Sequence, residues 1–306
     1  MIKVYFAITP GKHGGGGTFL SYLTNYMKDD TDFEIVDNAD EADIFFAMGA
    51  QTSLEEIPKL MELKKKGMKI LYRVDGISTI RMPNGIERIE KMQDVADVII
   101  YQSNYIKEEA EKLSKKHNNT KVIHNGVDIN QFHVGLEKPL TDFLICEYSQ
   151  NPCKRIQESL GLMKLMIEKN PKIKLAIVGK FSSDYVSQCF GLPQENVRYF
   201  GRLSHGPMPF LMRACKVLLF PNMKEACSNT ALEAMASGMV VIHKKDGCMP
   251  ELCGDTQVVW SPNTNCIDKA LWKWNGEERL EGRRRVEKLF NIKNCIKQYL
   301  EILRTL

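Results

Sequence analysis

Short apolar runs alternate with amphipathic segments along the chain of 306 residues. In the first half, apolar runs predict strands at residues 2–8, 33–37, 43–48, 68–74 and 97–101. The segments between them, such as SLEEIPKLMELKKK at residues 53–66, have apolar and charged residues at helical spacing and predict helices. Strands that alternate with helices indicate a parallel sheet with helices on both faces.

A second series of the same kind begins after Pro139. Its strand candidates are TDFLICEY, KIKLAIVG, VRYF, VLLFP and MVVI, with helices predicted at 154–169 and 229–238. Between the two series, VGLEKPLT at residues 134–141 has the charged and turn-forming residues of a boundary. We predict an α/β fold with Rossmann-like domains at residues 1–137 and 138–285. A C-terminal helix at 286–306 follows, for which packing back on the first domain is one option.

Composition narrows the class of protein only moderately. Hydrophobic residues make up 43% and charged residues 26%, as in ordinary globular proteins. The formal net charge of +4 favours an anionic ligand but is too small for a dedicated nucleic-acid binder, so no nucleic-acid partner is expected. Nine cysteines without regular spacing indicate reduced thiols, and no apolar run approaches the about 20 residues of a membrane span. We therefore expect a cytoplasmic protein.

Two further clusters have ordinary structural explanations. His243, Cys248 and Cys253 are evenly spaced potential metal ligands, but no paired CxxC accompanies them, so no metal site is predicted. The basic run Arg283–Arg285 suggests peripheral membrane contact, although a solvated helix face is the more ordinary arrangement. The sequence carries no information on oligomeric state.

Gly14–Gly17 stand between the first predicted strand and the first predicted helix. Glycine loses more backbone freedom on folding than any other residue, so four in succession suggest that a phosphate or a sugar approaches the backbone there. The partial positive charge at a helix N-terminus favours an anion at this position. A flexible surface loop is the alternative that glycines alone leave open.

Two known phosphate-binding patterns fit this loop poorly. The Walker pattern fails because Gly11 and Lys12 are followed by His13 instead of serine or threonine. The dinucleotide pattern requires a glycine where this chain has Phe19. Asp37, however, lies about 20 residues beyond the loop, where a dinucleotide-binding fold has an acidic residue for the ribose. A nicotinamide cofactor therefore remains an alternative.

Two glutamates flank a predicted helix start in the second half. Glu225 lies in a loop after a strand, and Glu233 is placed in the first turn of a helix that begins near Ser228, Asn229 and Thr230. Ligands of open parallel sheets bind at the carboxyl ends of the strands, so this position favours a binding site. A capping box between Thr230 and Glu233 would explain the second glutamate without a ligand, but not the first.

The segment EACSNTALEAMASGMVVI resembles the signature of the family 4 retaining glycosyltransferases, in which two glutamates are separated by seven residues. VIHNGVDINQF at residues 122–132 and DGCMPELCGD at 246–255 are similar to further segments of that family, and KLAIVGK and VRYFGRLSH follow its order. The resemblance covers most of the chain and is strongest from residue 122 to 255. It implies the GT-B architecture, with two Rossmann-like domains whose sheets face a central cleft.

The resemblance also implies roles for individual residues. A nucleoside-diphosphate sugar would bind mainly to the second domain, with Glu233 on the ribose and Glu225 on the donor sugar near the transfer site. N–H groups of Asn229 and Thr230 would contact the diphosphate at the helix N-terminus. The remaining candidate donor contacts are Gly14, Gly15, Gly16, Gly17, Lys154, Arg155, Gly179 and Ser228.

In this family a lysine after the first strand of the second domain stabilises the leaving phosphate, and Lys154 matches it. The accompanying arginine is replaced by Ser149, and Arg155 is a candidate either to compensate or to face solvent. Lys154 and the helix dipole would take the place of a metal ion. The resemblance thus implies transfer with retention, without a metal or another cofactor.

The acceptor would bind mainly to the first domain, near the glycine-rich loop. His13 and Asp75 are candidate acceptor contacts, and Asp75 is also a candidate catalytic residue because it ends a strand and would position the acceptor hydroxyl. A turn residue before Gly76 is the alternative for Asp75. The acceptor is expected to be a glycan, a lipid or a small molecule.

The sequence favours a retaining glycosyltransferase, with two alternatives. An NAD-dependent oxidoreductase or a sugar-nucleotide-modifying enzyme would use residues 11–17 and Asp37, but would leave the second half without a role. A non-catalytic sugar-nucleotide-binding protein is suggested by Ser149 in the place of the arginine.

Overall fold

A computed structural model describes residues 1–7, 15–49, 52–77, 84–135, 138–147, 152–180 and 191–306. Over these ranges the chain divides into two compact units. Unit 1 comprises Met1–Gly126 together with Ile292–Leu306, and unit 2 comprises Val127–Asn291. Helices and strands are numbered in chain order over the described residues.

Unit 1 is built on a parallel sheet. Its strands are β1 (Ile2–Phe6), β2 (Phe33–Val36), β3 (Ile44–Met48), β4 (Lys69–Val74), β5 (Val98–Tyr101) and β6 (Thr120–Val122), in the order β2-β1-β3-β4-β5-β6. Its helices are α1 (Gly15–Lys28), α2 (Ile57–Lys65), α3 (Gly85–Gln93), α4 (Asn104–Leu113) and α11 (Ile292–Thr305), with short 3-10 turns at Ala39–Glu41 and Leu54–Glu56.

Two of the inner strands of unit 1 are buried along their whole length. Every residue of β3 and of β5 is buried, as expected for parallel strands that are covered by helices on both faces. Helix α1 contributes Phe19 and Leu23 to the core, and helix α11 contributes Ile296 and Tyr299 to the same cluster. The C-terminal helix therefore packs in the core of unit 1.

Unit 2 repeats the architecture with a second parallel sheet. Its strands are β7 (Thr141–Glu147), β8 (Leu175–Gly179), β9 (Val197–Tyr199), β10 (Cys215–Phe220), β11 (Val240–His243) and β12 (Val258–Val259), in the order β12-β11-β10-β7-β8-β9. Its helices are α5 (Ile156–Lys169), α6 (Met208–Arg213), α7 (Asn229–Ala236), α8 (Met249–Cys253), α9 (Asn265–Asn275) and α10 (Arg279–Leu289), with short 3-10 turns at Pro152–Lys154 and Gln194–Asn196. Two hydrophobic clusters lie in this unit. The predicted α/β fold of two parallel, Rossmann-like sheets is confirmed.

The unit boundaries differ from those expected at residues 137 and 285. The backbone N–H of Val127 donates to the carbonyl of Phe290 at 2.8 Å, and Val127 also forms a parallel β-bridge with Asn291. These contacts join both ends of unit 2 several residues away from the turn-rich segment. The described residues of this segment, 134–135 and 138–141, therefore lie inside unit 2, close to its start.

The pattern of apolar residues missed two short strands, β6 and β12. β6 has the sequence TKV with a single apolar residue, and β12 has only two residues, so neither forms an apolar run. Each lies at an edge of its sheet, where only one neighbouring strand is present.

The basic run in helix α10 has a structural role that the sequence did not indicate. The guanidinium group of Arg283 donates to the backbone carbonyls of Ala236 at 2.9 Å and Ile129 at 3.1 Å. Arg285 donates to the carbonyl of Leu252 at 2.7 Å. Both side chains are therefore used to bind backbone groups within unit 2, whereas Arg284 between them is exposed.

Candidate functional site

The topological switch point of unit 2 lies between strands β7 and β10. From β7 the chain proceeds to β8 and β9 on one side, and then to β10, β11 and β12 on the other side. The loops after two such strands diverge, and the crevice at their carboxyl ends is where open α/β sheets bind ligands. Lys154 follows β7 and Glu225 follows β10, so the two predicted catalytic residues of this unit both lie at the switch point.

Lys154 connects the two loops through its ammonium group. Its Nζ lies 3.0 Å from Oε1 of Glu225 and 3.4 Å from Oε2 of Glu147, the last residue of β7. The side chains of the two glutamates are only 10% and 6% exposed, and that of Lys154 is 21% exposed. Ionised carboxylates removed from water require such pairing, because their desolvation is costly. The site thus holds one cation between two buried anions.

The carboxylate and backbone of Glu225 are held from several sides. Nδ2 of Asn222 donates to the same Oε1 atom at 2.9 Å. The N–H of Cys248 donates to the carbonyl of Glu225 at 2.9 Å. Gly247 has a φ of +61°, and a Cβ atom there would lie 2.6 Å from the backbone nitrogen of Glu225. The DGCMPEL segment therefore positions Glu225, and this requires glycine at residue 247.

Helix α7 begins at the same edge of the sheet. Ser228 is its N-cap, and the Ser228 side chain accepts a hydrogen bond from the N–H of Ala231 at 3.2 Å. Asn229 and Thr230 are the first two helical residues, and no acidic residue lies in the first turn. The N–H groups of a first helical turn have no intrahelical acceptors and carry a partial positive charge. This helix start is therefore suited to an anion.

Glu233 lies in the second turn of α7, not in the first. Because Ser228 is the N-cap, the capping box between Thr230 and Glu233 is wrong. Oε1 of Glu233 lies 3.0 Å from Nε2 of His205, whose ring packs edge-on against Phe132 with 5.4 Å between centroids. The hydrogen bond to Glu233 raises the pKa of His205 above its usual range, against the opposing effect of burial. The carboxylate of Glu233 is thus bound by His205.

Arg155 is not part of the cluster formed by Lys154, Glu147 and Glu225. It has a left-handed backbone with a φ of 50°, its side chain is 44% exposed, and it forms an ion pair with Glu158. Glu158 is also bound by Lys244 at 2.7 Å. The expectation that Arg155 compensates for the missing arginine is therefore not met, because its charge is used at the start of α5.

Gly179 forms part of the sheet edge beneath the cluster. It is the last residue of β8 and is paired in register with Glu147. Its φ is +149°, and a Cβ atom would lie 1.7 Å from the carbonyl oxygen of Glu147. Only glycine fits so close to that strand, which gives Gly179 a packing role besides its predicted donor contact.

In unit 1 the corresponding switch point lies between β1 and β3. Gly15, Gly16 and Gly17 form the first turn of helix α1, whereas the sequence placed them in a loop. The first turn has no acidic residue and, like that of α7, is suited to an anion. His13, Gly14 and Ser149 lie outside the described residues.

Asp75 follows β4 and packs closely against Gly49, the residue that follows β3. A Cβ atom on Gly49 would lie 2.0 Å from Oδ1 of Asp75, so the carboxylate occupies the space that a side chain would fill. The neighbouring Arg73 is buried, with Nε donating to the hydroxyl of Tyr299 at 3.1 Å and Nη2 donating to Asn125 at 2.8 Å. Arg73 therefore ties helix α11 to the sheet of unit 1.

Three residues of the site were not singled out from the sequence, namely Glu147, Asn222 and His205. Glu147 ends a strand whose preceding residues are apolar, and a charge at the carboxyl edge of a parallel sheet was the available signal. Asn222 lies three residues before Glu225 and carried no such signal. His205 was part of the GRLSH loop, but its contact with Glu233 depends on tertiary structure.

His243, Cys248 and Cys253, the potential metal ligands in the sequence, do not form a metal-binding group. Nδ1 of His243 lies 2.8 Å from the carbonyl of Lys244, and burial lowers the pKa of His243. Over the described ranges, no three histidine, cysteine or acidic side chains are grouped so as to hold a metal ion. None of the eight cysteines in these ranges forms a disulfide, and all eight are buried.

None of the helices in the described part of the chain has both the length and the apolar character needed to cross a membrane.

A family model described as Glycosyl transferases group 1 matches residues 128–279, which include the switch point of unit 2. Residues 128–279 thus resemble a group 1 glycosyl transferase domain. The O-antigen chain mannosyltransferase B of Escherichia coli is 31% identical to this chain over 67 residues. That stretch is 22% of this chain and only 18% of the relative, so the likeness is confined to a short part of both proteins.

Solved structures resemble this chain over its whole length. The Anabaena protein HepE in complex with UDP-glucose has a TM-score of 0.80 at 16% identity, over 100% of both chains. Sucrose-phosphate synthase from Thermosynechococcus elongatus has a TM-score of 0.76 at 16% identity, over 100% of this chain and 99% of that chain. At this level of identity the likeness is one of fold. The chain has the two-sheet GT-B fold of glycosyltransferases.

Proposed function

We propose that the protein transfers a sugar from a nucleoside-diphosphate sugar to an acceptor, as a retaining glycosyltransferase of family 4. The observation that carries this proposal is the pairing of Lys154 with Glu225 beside the N-terminus of helix α7 at the switch point of the group 1 domain. A cation and a helix start at one sheet edge can bind a diphosphate, and a carboxylate between them can accept hydrogen bonds from a sugar.

In the proposed reaction the glycosidic bond to the diphosphate breaks, and negative charge grows on the leaving phosphate. Lys154 and the N–H groups of Asn229 and Thr230 would stabilise that charge, more strongly in the transition state than in the ground state. These groups would do so without a metal ion. The acceptor hydroxyl would attack from the same face, and its proton would pass to the leaving phosphate, which retains the anomeric configuration.

The two glutamates would orient the donor. Glu225 would accept hydrogen bonds from hydroxyls of the donor sugar, and Glu233 from the ribose hydroxyls, which a carboxylate can bind as a vicinal pair. His205 already binds Glu233 and would lie beside the ribose. UDP is the first nucleotide to test, since HepE binds UDP-glucose.

We assign the acceptor to unit 1, where Asp75 and the N-terminal turn of helix α1 are the candidate contacts. A glycan is favoured as acceptor class, because the relative from Escherichia coli is a mannosyltransferase of the O-antigen chain. The reaction is proposed to occur in the cytoplasm, in keeping with the buried cysteines of the described ranges, none of which forms a disulfide.

A thermal-shift panel of UDP, GDP, ADP, their sugar conjugates, NAD and NADP tests this proposal. We expect one nucleoside diphosphate to raise the melting temperature of the wild type. Glu233→Ala should weaken its binding by about 1–3 kcal/mol, the range for hydrogen bonds to a charged group.

The matched control is Ser103→Ala, which removes the N-cap of helix α4 in unit 1. It should cost about 1 kcal/mol of stability and leave nucleotide affinity unchanged. A response to NAD or NADP alone, unaffected by Glu233→Ala, would contradict the proposal.

A further inference from the structure

Glu147 is the one carboxylate of the switch-point cluster for which the proposed reaction has no use. It ends β7, its side chain is 6% exposed, and its Oε2 lies 3.4 Å from Nζ of Lys154. The register pairing with Gly179 fixes its backbone at the edge of the sheet. Its carboxylate is therefore held at the lysine that would bind the donor diphosphate.

The charges of Lys154, Glu147 and Glu225 do not balance among themselves. Glu147 and Glu225 contribute two negative charges, and the ammonium group contributes one positive charge, so the three side chains carry a net charge of −1 when all are ionised. Charges a few Å apart in a partly buried site interact strongly, because little water separates them. An incoming diphosphate meets a lysine that is already neutralised and a carboxylate that repels it.

We propose that Glu147 limits the affinity of the site for the diphosphate by competing with it for Lys154. This inference rests on the proposed function, and it extends that function to the release of the product. When the sugar has been transferred, Glu147 and Glu225 take back the ammonium group from the nucleoside diphosphate. Glu147 is thus a positioning residue that acts through Lys154, and its presence makes the product leave faster.

A purely structural role for Glu147 predicts the opposite result. If Glu147 only held the loop after β7 in place, its replacement would disturb Lys154 and weaken diphosphate binding. Competition predicts a gain in affinity, because the substitution releases the lysine and removes one like charge. A gain in affinity is hard to produce by damage, so its sign distinguishes the two roles.

The test is Glu147→Gln, which keeps the shape of the side chain and removes its charge. The dissociation constants of inorganic pyrophosphate and of UDP are measured by calorimetry. We expect both to fall by about five- to tenfold, the effect of one like charge several Å away in a partly solvated site. Dissociation of UDP should slow by a similar factor in stopped-flow displacement.

Asp142→Asn is the matched control, because it removes a charge from the same strand. Asp142 pairs with Lys216 at 2.7 Å near the other end of β7, and its replacement should leave both dissociation constants unchanged. In a Lys154→Met background, Glu147→Gln should improve binding much less than in the wild type. Glu147→Asp, which draws the carboxylate back from Lys154, should give a smaller gain in affinity. It replaces Glu147→Gln in the test if that variant does not fold.

The outcomes separate this inference from the proposed function. Binding of UDP or pyrophosphate by the wild type, with equal or weaker binding by Glu147→Gln and Glu147→Asp, overturns the role of Glu147 alone. If pyrophosphate and all tested nucleoside diphosphates fail to bind the wild type and both variants, the inference and the proposed donor site fail together. Tighter binding by Glu147→Gln that needs Lys154 supports both.

Discussion

Oε1 of Glu233 and Nε2 of His205 lie 3.0 Å apart, although Glu233 belongs to helix α7 and His205 to the loop before helix α6. The hydrogen bond raises the pKa of His205. The carboxylate proposed for the ribose thus has a titratable partner in the protein before any ligand arrives. The stability that this hydrogen bond contributes therefore depends on pH.

The stability contributed by this pair should decrease as the pH rises. The folded pKa of His205 lies above the unfolded value of 6.5, so the contribution is complete below that value and is lost as the pH rises through the folded pKa. His205→Gln should therefore lower the free energy of unfolding more at about pH 6 than at about pH 8.5. Urea denaturation at the two pH values measures the difference.

His117→Gln is the control for this titration, because the His117 ring contacts the backbone carbonyls of Asn119 and Ala96 in unit 1 instead of a carboxylate. An equal loss of stability for His205→Gln at both pH values would mean that the pair gains nothing from the charge of His205.

Replacement of Lys154 should chiefly reduce turnover. Lys154→Met removes the cation proposed to stabilise the leaving phosphate, and we expect turnover to fall by about 10²- to 10³-fold, as when one preorganised group at a developing charge is removed. Release of the nucleoside diphosphate from the donor found in the binding panel provides the measurement. Some stability is also lost, because Glu147 and Glu225 lose their shared cation.

Lys216→Met is the matched control for Lys154→Met. It breaks the ion pair of Lys216 with Asp142. Both residues lie near the amino-terminal ends of their strands, β10 and β7, whereas the site lies at the carboxyl ends. Turnover should stay close to that of the wild type in this variant. Wild-type turnover in Lys154→Met would remove Lys154 from the mechanism.

Gly247→Ala should destabilise unit 2 and disturb Glu225. The added methyl group would lie 2.6 Å from the nitrogen and 2.8 Å from the carbonyl oxygen of Glu225, on a backbone with a φ of +61°. We expect a loss of about 1–3 kcal/mol in the free energy of unfolding, together with weaker donor binding. Thermal unfolding and calorimetry measure the two effects.

Gly161→Ala provides the comparison for Gly247→Ala. Gly161 lies inside helix α5, and a Cβ atom there meets no atom within 4 Å. Alanine should stabilise the protein by up to about 1 kcal/mol at this position. Equal effects of the two substitutions would contradict the close approach at Gly247.

Tyr299→Phe should weaken the attachment of helix α11 to unit 1. The substitution keeps the ring contacts of Tyr299 with Phe19 and Phe46 but removes the hydroxyl that accepts from Nε of Arg73. A buried guanidinium that loses a partner should cost about 1–3 kcal/mol in chemical denaturation.

Tyr5→Phe is the control for Tyr299→Phe. Tyr5 is half-buried in β1, its ring lies 5.1 Å from that of Phe45, and its hydroxyl makes no hydrogen bond to any residue in the described ranges. The stability of the Tyr5→Phe variant should match that of the wild type. If Tyr299→Phe were equally neutral, the hydrogen bond to Arg73 would not contribute to the docking of α11.

The sequence by itself determined the two α/β units and the place of the chemistry within them. Short apolar runs, such as IFFAM in β3 and FLIC in β7, marked these strands, because parallel strands buried on both faces contain few polar positions. Glu225, Ser228 and Lys154 could be placed at the carboxyl edge of a sheet, because each follows a strand in the chain. These are local relationships, and local pattern is what a sequence displays.

Only the tertiary structure decided which of these groups meet. Lys154 and Glu225 are 71 residues apart in the chain, His205 and Glu233 are 28 apart, and Arg73 and Tyr299 are 226 apart. The third member of the lysine cluster, Glu147, became visible only when the end of β7 was placed beside β10 in the sheet. Strand order and side-chain direction set these contacts. Both result from the packing of whole elements, which the pattern within any one segment does not contain.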